Sequence, residues 1–169
     1  MNVNVGNPLV RLVLNQIQHY NHEKYWEMRK HVIDVNSKMP KIVRLFYLLR
    51  IKRMDAFHNA SMGTDLGRGC QFASPPIFDH GLNGIIISHY AKIGNNCRIN
   101  QRVTIAQDNN KPVAATIGDN CFIGAGAAII GDVKIGNNVT IGANAVVIKD
   151  IPDNCIAVGV PAKIIPKNQ

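Results

Sequence analysis

The sequence predicts a mainly β chain, a parallel β-helix of hexapeptide repeats behind a small N-terminal α-helical segment, and three observations predict it. Every sixth residue from Ile87 gives Ile93, Ile99, Ile105, Lys111, Ile117, Ile123, Ile129, Ile135, Ile141 and Val147, aliphatic at ten of eleven positions. Four residues after most of these stands another small or aliphatic side chain: Ala91, Cys97, Val103, Cys121, Ala127, Val133, Val139, Ala145 and Ile151. Turn signals punctuate the units, as at Asn95-Asn96, Asp119-Asn120 and Asn137-Asn138, where tight turns tolerate unusual backbone angles. Neither a helical period nor plain strand alternation yields a strict six-residue repeat with a turn in each unit. Short parallel strands joined by tight turns do, and stacked coils turn the inward positions into ladders.

Before residue 59 the period is helical. Asn7-Pro8 opens a first run from Leu9 to Gln18, apolar at Leu9, Val10, Leu12, Val13, Leu14 and Ile17. Asn21 caps a second helix with Glu23 in its first turn, running to about Val35. Pro40 sits at the first turn of a third, whose stripe of Ile42, Val43, Leu45, Phe46, Leu48, Leu49 and Ile51 must pack on something. The expected organisation is a helical segment over 1–58, the repeat domain over 59–165 and a short tail over 166–169.

Composition narrows the function classes. With 169 residues, 46% hydrophobic and 18% charged, the chain is long enough for one real core and is not of disordered type. Its longest apolar runs are too short to span a bilayer, and Met1 to Val5 lack the character of a secretory signal. Four cysteines without a CxxC pair fit free thiols, and a cytoplasmic location is expected. Residues 1–60 hold ten Lys/Arg against four Asp/Glu, and residues 61–169 hold nine against seven. That basic beginning could meet an anionic membrane surface, but a solvated helical face is the plainer reading. No nucleic-acid-binding signature accompanies the charge, so no nucleic acid partner is expected. From residue 90 onward there is no His, which argues against a three-histidine zinc site, and no metal is expected.

The repeat breaks its own rule twice. Residues 79–86 disturb the register, since Ile87 lies nine beyond Phe78 while Leu66, Phe72 and Phe78 keep a spacing of six. From Gln107 to Ala115 an aliphatic is replaced by Lys111 and Pro112 interrupts, which reads as a loop that leaves the prism and returns. A solenoid that abandons its repeat marks where function sits.

Asp79-His80, Gly84-Ile85-Ile86-Ile87, Val103-Thr104-Ile105, Ile123-Gly124-Ala125-Gly126-Ala127 and the closing Gly159-Val160-Pro161-Ala162-Lys163 together resemble the hexapeptide-repeat acyltransferase superfamily, in its serine acetyltransferase-like branch. The resemblance covers roughly residues 60–165 and implies a left-handed coil, a homotrimer, and acetyl-CoA as co-substrate in a groove between two prisms. It implies that the extruded loop reaches over a neighbouring subunit's active site.

Acetyl transfer to a hydroxyl needs a base for the hydroxyl proton, and histidine, with a pKa near neutrality, suits the task. His80, at the register break, matches the catalytic position of the family. Asp65 lies fifteen residues upstream, the separation at which serine acetyltransferases carry the Asp that orients their His. Fifteen residues is almost one coil, so the two could face each other and fix the tautomer. Asp79 resembles an acceptor-binding position, His89 is a weaker candidate for substrate contact, and Lys111 is the loop's single cation. For the donor, the resemblance implies Ala106, Ala125 and Ala143 along the pantetheine arm, with Pro161, Ala162 and Lys163 near the nucleotide. The cysteines read as ladder fillers, so transfer is expected to be direct, without a cysteinyl intermediate.

The loop lacks the Arg-His pair that holds the carboxylate in serine acetyltransferases, and the helical segment is short. Both departures point to a sugar or glycan hydroxyl as acceptor, in capsule or exopolysaccharide biosynthesis. Serine O-acetylation is the alternative, and a non-catalytic scaffold the third reading.

Overall fold

The computed structural model describes residue 8, residues 19–109 and residues 111–167; the expected first helix over 9–18 lies outside them. Helix α1 spans His22–Ile33 and helix α2 spans Lys41–Phe57. Asn21 caps α1 as expected, its side chain accepting from Lys24 N. Pro40, with no N–H to leave unpaired, precedes the first residue of α2.

The repeats form three parallel sheets, one for each face of a prism. The first face holds Ile86–Ile87, Thr104–Ala106, Ala128–Ile130 and Val146–Val147. The second holds Gln71–Phe72, Lys92–Ile93, Thr116–Ile117 and Lys134–Ile135. The third holds Arg98–Ile99, Phe122–Ile123, Thr140–Ile141 and Cys155–Val158, closed by an antiparallel strand, Lys163–Pro166. Most strands carry a buried aliphatic that pairs with its counterpart one coil away, as in Ile87↔Ile105, Ile93↔Ile117 and Ile123↔Ile141. The ten aliphatic ladder positions are all at most 3% exposed, and so are Ala91, Cys97, Cys121 and Ala145 in the small-residue slots. Cys97 and Cys121 donate to the Gly118 and Gly136 carbonyls, which suits ladder filling and not nucleophilic chemistry.

Residues 107–109 and 111–114 lie outside the coil repeat, closed by an antiparallel bridge between Gln107 and Ala114. This accounts for Lys111 without breaking the count. Ile105 pairs with Ile129, 24 residues on, whereas Ile129 pairs with Val147, 18 on; the difference is one repeat unit pushed outward. Leu66 departs from expectation. Thr64–Asp65 and Arg68–Gly69 form a small antiparallel hairpin, and fully buried Met62 supplies the core side chain instead.

Helix α1 lies across the first coil. Trp26 meets Phe72 edge-on at 4.8 Å, and buried Arg29 donates to Thr64 Oγ1 and to the Met62 and Cys70 carbonyls. Helix α2 is tied to α1 by Tyr25, whose hydroxyl donates to Asp55 Oδ1 at 2.7 Å. Asp55 is 3% exposed, and burial pushes its carboxyl from 3.8 up to about 6, against the lowering effect of the Tyr25 bond. The folded chain therefore holds this proton more tightly than the unfolded chain does. Asp55's contribution to stability is fully present below about pH 3.8 and is lost as pH rises through about 6. The loss amounts to about 3 kcal/mol. Urea unfolding between pH 5 and 8 is expected to show it, and Asp55→Asn should flatten that part of the profile.

Candidate active site

The corner between the third and first faces stacks short turns from successive coils, each bonded to the next. Gly84 N donates to the His58 carbonyl, Arg102 N to Asn83, Gly126 N to Gln101 and Asn144 N to Ala125. His80 stands in the first long turn of this column, and Ala125 and Ala143 lie in the turns above it. The chain end folds against the same edge: Val146 N donates to Gly159 O and Ala162 N to Val146 O. Thus one edge carries His80, Ala125, Ala143, Pro161 and Ala162, with Lys163 opening the final strand. Small residues along it let an extended ligand run close to the backbone, while outward amides and carbonyls offer partners. The His80 ring is exposed, and among the described residues no hydrogen bond or ion pair holds it. Asp79 faces Arg98, with Oδ2 3.6 Å from Nε.

Ala106 lies elsewhere. It ends the first face at the opposite corner, where the chain enters the extruded loop, so one chain does not bring it beside Ala125 and Ala143. Lys111 is exposed on that loop.

Asp65 does not meet His80. Its carboxylate lies 3.5 Å from Lys52 Nζ, 3.7 Å from Arg68 Nε and 3.3 Å from His89 Nδ1. The reason is the hairpin, which the fifteen-residue spacing could not reveal. Extra residues between the first and second faces carry Asp65 out of the coil to the corner where His89 sits. Gly63 makes that packing feasible, since a Cβ there would fall 2.8 Å from His89 N, and Gly67 supplies the left-handed turn at φ +77°. The 3.3 Å approach of His89 is an ion-pair distance without hydrogen-bond alignment, and Nδ1, itself buried, has no hydrogen-bond partner. Sequence reading missed Lys52 and Arg68; the Gly63, Gly67 and Gly69 run was the available sign of a hairpin.

Beside this corner a groove of about 1250 Å³ runs between α1 and the second face. Trp26, Phe72, Tyr90, Arg68, His89 and Pro112 are among its walls, and His80 is not. Among the described residues no cluster of His, Cys, Asp or Glu could hold a metal ion, and no helix is long and apolar enough to cross a membrane.

Residues 114–149 match the family model described as bacterial transferase hexapeptide (six repeats). The serine acetyltransferase of Synechococcus elongatus is 35% identical over 131 residues, covering 76% of this chain and 50% of that protein. The solved structure of soybean serine acetyltransferase complexed with serine superposes with a TM-score of 0.64 at 28% identity, over 90% of this chain and 56% of that one. A serine acetyltransferase complexed with CoA, 24% identical and covering 85% of this chain and 55% of that one, shares the fold with a TM-score of 0.65. The chain spans about half the length of the curated relatives it matches.

These relatives overturn the expectation of a sugar or glycan acceptor in capsule or exopolysaccharide biosynthesis. That expectation rested on the missing Arg-His pair of one loop and on the short helical segment, whereas the likeness to serine acetyltransferases extends over most of the chain. Its parallel six-residue coils and the matched repeats at 114–149 are those of bacterial hexapeptide transferases, and over three-quarters of its length the chain is similar to serine acetyltransferases.

Proposed function

We propose that this chain transfers the acetyl group of acetyl-CoA to the hydroxyl of L-serine, with His80 as general base, as a homotrimer of left-handed coils. The observation that carries the reading is the likeness to a serine acetyltransferase complexed with serine over 90% of the chain, with His80 on the same edge as the backbone column suited to a pantetheine arm.

The chemistry follows from that edge. The His80 imidazole takes the serine hydroxyl proton as the oxygen attacks the thioester carbon. The tetrahedral oxyanion collapses, the carbon–sulfur bond breaks, and the imidazolium returns its proton to the leaving CoA thiolate. The products are O-acetylserine and CoA. Backbone N–H groups of the turns are the nearby donors for the oxyanion. The buried cysteines offer no accessible nucleophile, which favours direct transfer. Lys163 is assigned to the nucleotide phosphates as a mobile point charge. Asp79, across from Arg98, is assigned to the acceptor side of the edge. Four free cysteines support a cytoplasmic setting.

Thiol release from acetyl-CoA in the presence of L-serine tests the proposal. Serine-dependent release, with O-acetylserine as the product, is the expected result. CoA binding without any serine-dependent release would overturn the acceptor assignment, and absence of CoA binding would overturn the transferase reading itself.

A further inference from the structure

We propose that the outward side of α2 is a landing surface for an anionic lipid bilayer, on which the helix lies flat with an apolar stripe sunk among the headgroups. This contact is independent of the acceptor assignment, and binding alone reads it.

The stripe comes first. A helix that buries one side ordinarily turns polar residues outward. The inward side of α2 puts Ile51 and Asp55 in the core, with Leu48 and Met54 packed partly against it. Its outward side carries Ile42, Leu45, Phe46, Leu49 and Phe57, all exposed, at the three- and four-residue spacings that place side chains in one line. Ile42 and Leu49 are 74% and 67% exposed. A lone exposed aliphatic is ordinary, but five large apolar side chains along one line make a patch that calls for a partner. The solvated helical face expected from the sequence is thus confined to the rims of α2.

Charge then chooses the occupant. Helical periodicity sets Lys41 and Lys52 along one rim of the stripe and Arg50 along the other, while Arg53 stands within it between Leu49 and Phe57; all four are exposed. The Arg50 guanidinium lies 5.8 Å from the Phe46 ring centroid. Arg44 is otherwise engaged, donating to the His31, Val32 and Asp34 carbonyls at the end of α1. The one acid of the helix, Asp55, is buried and accepts from Tyr25, so α2 shows solvent four cations and no carboxylate of its own. A second copy seated face to face on this stripe would set Arg50 and Arg53 against their own counterparts, like charge on like. Residues 9–18 join the described chain beside Phe57, where the His19 ring lies 4.3 Å away, but the charge they bring is Arg11, another cation. Neither occupant supplies the missing negative charge. An anionic bilayer supplies both halves of the match. Its headgroups meet the basic rims, and its acyl boundary takes the stripe while the long Lys and Arg stems reach back to the headgroups. At 17 residues α2 is about 25 Å long, too short and too charged to cross, which leaves lying on the surface as the mode of contact.

Flotation of the intact protein with vesicles tests this. One set is phosphatidylcholine alone, and the other is phosphatidylcholine and phosphatidylglycerol in equal parts. The protein is expected to float with the anionic set and to stay behind with the neutral set, and salt at about 1 M should weaken the binding. Arg50→Gln combined with Arg53→Gln is expected to lower the partition coefficient roughly 25-fold, at about 5-fold per cation. Leu49→Gln, which keeps the charge and removes one apolar anchor, should lower it roughly 10-fold. Both variants change exposed side chains and should keep the wild-type urea midpoint. No flotation, equal flotation with both sets, or flotation that neither variant weakens would overturn the proposal. A lowered urea midpoint in Leu49→Gln would also overturn it, because the stripe would then be covered by residues 9–18. A smaller assembly in sedimentation of Leu49→Gln would assign the stripe to a second copy instead.

Discussion

Replacing His80 with alanine is expected to lower acetyl transfer by about 10²- to 10⁴-fold in kcat, the usual range for loss of a positioned general base. The argument begins with the repeat. Ordinary units turn the corner in four residues, as at 100–103 and 124–127, whereas 79–85 takes longer and places His80 on a wide turn outside the ladder. The ring takes no part in the core, and among the described residues it makes no side-chain hydrogen bond or ion pair. Removing it should therefore cost little stability, so an inactive variant would still unfold at the wild-type urea midpoint. The pairing of lost kcat with an unchanged midpoint separates catalysis from folding. CoA affinity should also persist, because the column above His80 is built from the backbone of the turns that hold Ala125 and Ala143. Full activity in His80→Ala would remove it as the base and leave His89, the other imidazole of the repeat region, as the residue to examine.

The parallel coils were legible in the sequence because one physical requirement repeats ten times. An inward aliphatic every sixth residue has no competing explanation, and the fully buried Ile99, Ile105, Ile123, Ile129 and Ile141 occupy the positions that the spacing gave them. The helix cap at Asn21 was legible for a similar reason, since it depends on a side chain and an amide three residues apart. The hairpin at 64–69 was not legible. It is a single event of six residues, and Leu66 happened to fall in phase with Phe72 and Phe78, which disguised it as another coil. That accident also hid that Asp65 lies beside His89 within one chain. The acceptor was misread by the same kind of error. Absence of an Arg-His pair from one loop says nothing about cations brought to the same corner from elsewhere, and Arg68 and Lys52 arrive there through the hairpin and α2. Repeating patterns survive sequence reading, whereas contacts between segments distant in the chain do not.

Replacing Arg29 with methionine is expected to destabilise the chain by about 3–5 kcal/mol, the range for taking one partner from a buried polar network. Arg29 is 2% exposed, and its guanidinium ties α1 to both sides of the hairpin. Nε donates to Thr64 Oγ1 at 2.9 Å, and Nη2 donates to the Met62 carbonyl at 3.1 Å and the Cys70 carbonyl at 2.6 Å. The same group lies 5.3 Å from the Trp26 ring centroid and 5.0 Å from that of Phe72, so the aromatic seam between α1 and the second face closes over it. Methionine fills similar volume but leaves these acceptors facing an apolar side chain. Lysine should be nearly as poor a replacement, because an ammonium is a point donor and cannot reproduce the planar fork. Stabilities of whole domains run to about 5–15 kcal/mol, so this loss removes a large share. Urea unfolding would read it as a lower midpoint. A variant with a wild-type midpoint would show that α1 is held to the prism by its aromatic contacts alone.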